Sequence, residues 1–262
     1  MQTKELKELI TFASMAGRVM LENGAETYRV EGTIERILAA RGISQSQSFV
    51  VPTGVFVSVT YDCQIYTTLE RVYRIQMDLM HITKVNDLSR VFVETDLTVE
   101  DAVTQLHSIE TSDQYGLKTR VLFAGIAGAF MALLFKGGAL EFGGAFITSV
   151  LVALFMEIMN KKELPVFIKS VIGGVAAATF TVLYSWILNC FNINLVTAIV
   201  IIGAIQQLVP GVALTNAVRD SITGDYVSGI SRATEAIIIA LGIAFGVGIV
   251  LQASYNLLGG IL

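Results

Sequence analysis

Hydrophobic positions follow two regimes along the chain. Up to about residue 110 they recur at short periods among polar residues, and after residue 116 they run almost unbroken. In the first regime Leu6, Leu9, Ile10, Ala13, Ala16, Gly17 and Met20 share one face of a helix over residues 3–22. Asn23-Gly24 is a turn signal, and a second helix is predicted over 26–40, stopped by Arg41-Gly42. Residues 49–62 read as strand interrupted at Pro52-Thr53-Gly54, with Val55, Val57 and Val59 alternating with Phe56, Ser58 and Thr60. A tight turn at Asp62-Cys63 leads into a second strand over 64–72. Helices are predicted over about 78–92 and 99–109, the last with Thr98 as N-cap and Asp101 three residues on. These elements make an α+β domain of residues 1–116.

The second regime holds five apolar segments, at about 117–135, 140–159, 166–188, 195–214 and 230–258. Each is near or above the roughly 20 residues that carry a helix across a hydrocarbon core of about 30 Å. Backbone groups in lipid must be satisfied within the segment, so these are helices. Small residues recur in them: Gly125 and Gly128, Gly143 and Gly144, Gly173 and Gly174 followed by Ala176 to Ala178, and Gly242, Gly246 and Gly248. That density predicts closely packed helices. The fold class expected is a membrane protein with a cytoplasmic α+β N-terminal domain, followed by an α-helical bundle of five transmembrane helices over 117–262.

Composition and charge sharpen this picture. Charged residues are 15% of the chain and hydrophobic ones 53%, against roughly 25% charge in an ordinary globular domain. A fully soluble or a disordered protein is thereby excluded. Residues 1–116 hold 10 of the 18 Lys+Arg and 16 of the 22 Asp+Glu, so the first domain is acidic. No basic cluster has the density that nucleic-acid binding needs. Lys118, Arg120, Lys161, Lys162, Lys169, Arg219 and Arg232 flank the spans on one side and only Lys136 on the other. The positive-inside rule puts the N-terminal domain on the cytoplasmic side and, after five spans, the C-terminus outside. The opening MQTKELKE lacks the apolar run of a signal peptide. Cys63 and Cys190 have no metal or disulfide spacing and read as unrelated thiols, buried or half-buried. His81 and His107 each lack a second ligand at i+4. No metal and no cofactor is expected, and neither a nucleophile elbow nor a glycine-rich phosphate loop occurs.

The candidate chemistry lies in residues 206–235, QQLVPGVALTNAVRDSITGDYVSGISRATE. Pro210-Gly211 falls near the end of the fourth span, where proline removes a backbone hydrogen bond and breaks the helix. A broken helix at membrane depth frees backbone groups to face a solute. Gln206 and Gln207 lie inside the apolar run. Thr215, Asn216, Arg219, Asp220, Asp225 and Arg232 form a polar run after it, and Glu235 lies inside the fifth span. Ionisable groups in spans are costly and usually functional. In this reading Thr215 and Asn216 contact a small polar or anionic solute. Arg219 or Arg232 holds a carboxylate, and Asp220, Asp225 or Glu235 carries a proton. Glu157 is expected to pair with Lys161 and Lys162 by helical spacing, and Glu141 to be an interfacial group.

Three separated runs resemble the threonine/serine exporter family: LENGAETYRVEGTIERILAARG from Leu21, Pro52-Thr53-Gly54, and PGVALTNAVRDSITGDYVSGISRATEA from Pro210. The resemblance extends from about residue 5 to 255. It implies export of threonine and serine driven by the proton motive force, with a split relative associated with succinate. Members of the fused form carry a second, smaller membrane domain, so this chain resembles the larger half of a two-component exporter. The partners implied are the lipid bilayer, a small-molecule substrate (an amino acid or a dicarboxylate) and a smaller membrane subunit of the same family. An oligomer is compatible with this. The expected location is the bacterial inner membrane. The resemblance also includes a likening of the N-terminal domain to hydrolases. The alternatives to a transporter are a membrane-anchored hydrolase using that domain, or a regulatory or scaffold membrane subunit.

Overall fold

The computed structural model describes residues 3–73, 75–112, 115–162 and 164–258. Chain contacts divide it into two compact units. The first is Met1–Gln114 with Val212–Ala233, and the second is Tyr115–Gly211 with Thr234–Leu262.

The first unit opens with α1 (Thr3–Glu22) and α2 (Thr27–Ala39). The apolar stripe read from the sequence, Leu6, Leu9, Ile10, Ala13, Ala16, Gly17 and Met20, is buried, together with Phe12 and Val19. The two helices pack closely at Gly17, where an added Cβ would stand 2.7 Å from Ile34 Cδ1. They are joined by the Asn23-Gly24 turn. Gly24 takes φ +89 there, a left-handed conformation that glycine adopts without Cβ strain. Three antiparallel strands follow, β1 (Ser46–Val51), β2 (Gly54–Tyr61) and β3 (Gln64–Arg71), in the order β1-β2-β3. The interruption at Pro52-Thr53 is therefore a hairpin between two strands, with Val51 opposite Gly54. Val55, Val57 and Val59 point inward and are buried. Helices α3 (Leu79–Glu94) and α4 (Val99–Glu110) complete this part. The Asp78 side chain caps α3 by accepting from the Met80 and His81 amides, and Thr98 caps α4 by accepting from the Asp101 amide.

One guanidinium ties three elements together. Arg18 of α1 meets Glu22 at 2.9 Å, Glu110 of α4 at 3.0 Å and Glu70 of β3 at 3.5 Å.

The second unit contains α5 (Leu117–Leu134), α6 (Ala139–Asn160), α7 (Val166–Asn189) and α8 (Thr197–Ile205), the last continued by one 3₁₀ turn over Gln206–Leu208. It also holds the part of α10 (Tyr226–Leu258) that follows Ala233. Among the described residues, four helices are long and apolar enough to cross a membrane, or five if the pair broken at residues 209–210 counts as one span. This fits a multi-pass membrane protein. The small residues pack as expected at several places. A Cβ on Gly203 of α8 would stand 2.6 Å from the Gly128 carbonyl of α5, and one on Gly174 of α7 would stand 2.5 Å from that of Ile243. Gly143 and Gly248 face open space instead.

Four details differ from the sequence expectation. The fourth apolar segment has the break expected at Pro210-Gly211, and is not one helix over 195–214. It stops at Leu208 and restarts at Gly211 as α9 (Gly211–Ile222), whose buried face mixes Ala213 and Ala217 with Asn216 and Asp220. Residues 212–233 accordingly group with the first unit, whereas the expected boundary kept all of 117–262 together. Glu157 pairs with Arg120 at 3.0 Å and not with Lys161 or Lys162, since an Arg on the facing helix lies within reach. Both cysteines are exposed, Cys63 on a tight turn at φ +58 and Cys190 at the end of α7.

Candidate functional site

The site is built where two of the three resembling runs meet inside the first unit. Helix α9 places Asn216 and Asp220 one turn apart on its buried face. Gly224, at φ +93, turns the chain, and the Asp225 carboxylate accepts the Ser228 amide at 3.2 Å, capping the start of α10. Helix α10 then places Ser228 and Arg232 one turn apart on a face that is fully enclosed.

These side chains close on the loop between α1 and α2. Asn216 Nδ2 donates to the Gly24 carbonyl at 3.0 Å. An Arg232 terminal nitrogen donates to the Ala25 carbonyl at 2.7 Å. Thr27 Oγ1 donates to Asp220 Oδ1 at 3.3 Å. Asp220 Oδ2 and Arg232 Nε stand 3.1 Å apart, with side-chain exposures of 0% and 1%. That contact is ionic and not an aligned hydrogen bond. Arg219 bonds Glu26, which also meets Arg29 at 3.3 Å. Ser228 Oγ donates to the Val50 carbonyl at 3.5 Å, and the Val50 amide donates to Glu31 at 3.2 Å. Burial holds the Glu31 carboxyl above the usual range, with Asp225 and Glu35 adding to the rise and the Val50 amide opposing it.

Charges taken out of water are tolerated only when paired and hydrogen-bonded. Here Asp220 and Arg232 face each other as an ion pair, Thr27 donates to the other Asp220 oxygen, and Arg232 donates to the Ala25 carbonyl. The arrangement is a closed polar lock. Both arginines expected to receive a solute carboxylate are engaged by protein carboxylates, Arg219 by Glu26 and Arg232 by Asp220.

The remaining candidates lie elsewhere. Thr215 is on the exposed side of α9. Gln206, Gln207, Pro210, Gly211 and Glu235 belong to the second unit. Gln207 Nε2 donates to the Ser149 carbonyl at 2.9 Å. Pro210 separates the 3₁₀ turn from α9. Glu235 is half-buried in α10 and makes no hydrogen bond or ion pair among the described residues. Glu141, expected at an interface, is buried and accepts the Gly138 amide at 2.8 Å and the Val196 amide at 3.1 Å. Glu26, Thr27 and Glu31 were missed as site residues by spacing alone. The only sequence signal for them was that they sit in one of the three resembling runs.

Comparisons with known proteins place the chain in a family. The ThrE family model, "Putative threonine/serine exporter", matches residues 11–254. The chain belongs to this family. It is 24% identical over 251 residues to a "Threonine/serine exporter" of Corynebacterium glutamicum, covering 94% of this chain and 51% of that protein. It is 23% identical over 250 residues to the "Probable succinate transporter subunit YjjP" of Escherichia coli (strain K12), covering 94% of this chain and 95% of that one. A "Probable threonine/serine exporter" of Mycobacterium tuberculosis matches at 22% over 259 residues, covering 95% of this chain and 47% of that protein. The chain thus spans about half the length of two of these relatives and nearly all of the third. No solved structure matches it.

Proposed function

We propose that this ThrE-family chain is the larger subunit of a secondary transporter that exports a small polar metabolite, a threonine/serine-type amino acid or a dicarboxylate such as succinate. The proton motive force drives it, and a smaller membrane subunit of the same family completes it. The N-terminal domain is cytoplasmic and the C-terminus is outside, in a bacterial inner membrane. Family membership supports the export of such a solute. Coverage of about half of the Corynebacterium and Mycobacterium relatives, and of nearly all of the shorter Escherichia relative, supports the split form.

The observation that carries the reading is Glu235. It is an ionisable side chain within the longest apolar helix, half-buried and without a hydrogen bond or ion pair among the described residues. A carboxylate at such a place is costly unless it works. Protonation removes the charge for one half of the cycle, and release restores it for the other. The break at Val209-Pro210 supplies the backbone groups that face the solute. The buried Asp220–Arg232 pair holds α9 and the start of α10 in place, so Glu235 is the proton carrier of the acidic candidates.

The test is efflux of labelled threonine, serine and succinate from proteoliposomes under an imposed pH gradient, with this chain alone and with a candidate small subunit. Gradient-dependent efflux of one solute is expected only with both subunits. Glu235→Gln is expected to abolish the response to the gradient while insertion and folding persist. Efflux that responds to the gradient equally in the variant removes Glu235 from proton coupling. No efflux of any of the three solutes from correctly inserted subunits overturns the exporter reading for these cargoes.

A further inference from the structure

The sheet of the first unit has two edges, and they are treated differently. At the β1 edge, the Val50 amide is held by Glu31 and its carbonyl by Ser228. The outer edge of β3 has no such cover: among the described residues no side chain or backbone group bonds to it. Edge strands are usually blunted by proline, lysine, a bulge or shortness. β3 reads QIYTTLER, eight residues in unbroken register with β2, without proline, lysine or a bulge; its two charges, Glu70 and Arg71, lie together at its C-terminal end, and Glu70 is paired with Arg18. The outer face beside this edge carries exposed apolar side chains. Phe49, Phe56 and Leu69 lie in one row across the three strands, and Ile65, 73% exposed, stands two rows further along, beyond the Thr67–Ser58 row.

We infer that two copies of this chain join through the outer edges of β3, antiparallel about a two-fold axis at Thr67, to form a continuous six-stranded sheet. The strand itself selects a second copy as the occupant. Antiparallel partners must share a sheet face, so only registers pairing odd with odd positions keep Ile65, Thr67 and Leu69 outward. Two such registers use nearly the whole strand. Centring on Thr67 sets Ile65 opposite Leu69 of the partner subunit, twice by symmetry, and Thr67 opposite Thr67 of the partner subunit. Both are favourable cross-strand pairs. Gln64 then faces Glu70 of the partner subunit, and no like charges oppose each other. Centring on Thr68 instead sets Ile65 against Arg71 of the partner subunit and Tyr66 against Glu70 of the partner subunit. The first register is therefore the complementary one.

Cysteine cross-linking of the full chain in proteoliposomes tests this, in a Cys63→Ser, Cys190→Ser background. Directly paired antiparallel residues have Cα atoms about 4.5–5.5 Å apart, within disulfide reach. Thr67→Cys is therefore expected to give a covalent dimer under mild oxidation. Ser58 lies on the same line across the sheet, opposite Thr67. Two copies of it would be about 14 Å apart across three strand spacings, so Ser58→Cys is expected to give about tenfold less dimer. Adding Ile65→Lys to Thr67→Cys should suppress the dimer, and adding Leu69→Glu as well should restore it by placing opposite charges across the axis. Monomeric Thr67→Cys in a correctly inserted chain overturns the inference. So does stronger cross-linking of Ser58→Cys or Phe56→Cys, which would mean face-to-face packing or another partner.

Discussion

The two units bury polar groups by opposite means. The first unit encloses a pair of opposite charges, Asp220 with Arg232, and half-buries Arg18 among three glutamates. In the second unit, hydroxyls turn back onto helix carbonyls, as Thr148 does to Gly144 and Thr181 to Ala177. Its buried carboxylate, Glu141, is answered by two backbone amides and not by a cation. The second unit coheres through close backbone approach at glycine. The first has an extensive apolar core and adds specific ion pairs to it. Electrostatic substitutions should therefore dominate in the first unit and steric ones in the second.

The largest expected effect is at the Asp220–Arg232 pair. Removing one partner of a buried ion pair leaves an uncompensated charge and costs about 3–5 kcal/mol. Arg232→Ala should cost that much, and the Ala25 carbonyl also loses its donor. Replacing both partners together with apolar residues of similar size, Asp220→Leu with Arg232→Met, should recover most of the loss. Thermal melting of the detergent-solubilised chain separates the cases. Equal losses from the single and the double change would mean that the pair acts through packing and not charge.

The same contrast decides what the sequence could reveal. Periodicity placed α1, α2, α3 and α4 within a residue or two, because each has one apolar face and a capping or turn residue at an end. The apolar runs gave α5, α6 and α7 equally well. The site was legible only as two separate polar strings. Nothing in the spacing of Asn216, Asp220 and Arg232 shows that their partners are Gly24, Ala25 and Thr27, about 200 residues earlier, and two of those partners act through backbone carbonyls. The proline signalled the break at Pro210, but the apolar run into Leu214 did not show that the helix beyond it is amphipathic, with Asn216 and Asp220 on its buried face beside Ala213 and Ala217. Glu157 failed for the opposite reason: a local rule offered Lys161, and tertiary structure offered Arg120.

A steric change in the second unit should rank next. A Cβ on Gly203 would sit 2.6 Å from the Gly128 carbonyl and 2.7 Å from Ala145 Cβ, in a place where backbone cannot yield cheaply. Gly203→Ala should therefore cost about 1–3 kcal/mol as an overpacked core. Gly248→Ala, facing open space in α10, should change the melting temperature little or raise it slightly through helix propensity. If Gly203→Ala is as silent as Gly248→Ala, the α5–α8 contact is looser than this packing implies.

The smallest effects belong to two carboxylates of the first unit whose pH responses run in opposite directions. Glu31 is held above its ordinary range by burial, so its folded form prefers the proton. Its contribution is most favourable in acid and declines as pH rises from the ordinary carboxylate range, about 4, through the raised folded value. Burial also pushes Asp78 upward, but the close contact of the His81 side chain at 2.8 Å and the hydrogen bonds from the His81 and Met80 amides outweigh this and hold it low. Its contribution is present above the ordinary aspartate value and disappears as pH falls through the depressed folded value. Glu31→Gln should thus raise the melting temperature slightly near pH 7, with the difference shrinking toward acid. Asp78→Asn should lower it near pH 7, and that difference too should vanish in acid. Melting curves of the two variants against the parent between pH 3 and 7 test both signs. A Glu31→Gln variant less stable than the parent at pH 7 would show that the charged acceptor for the Val50 amide outweighs the burial of Glu31.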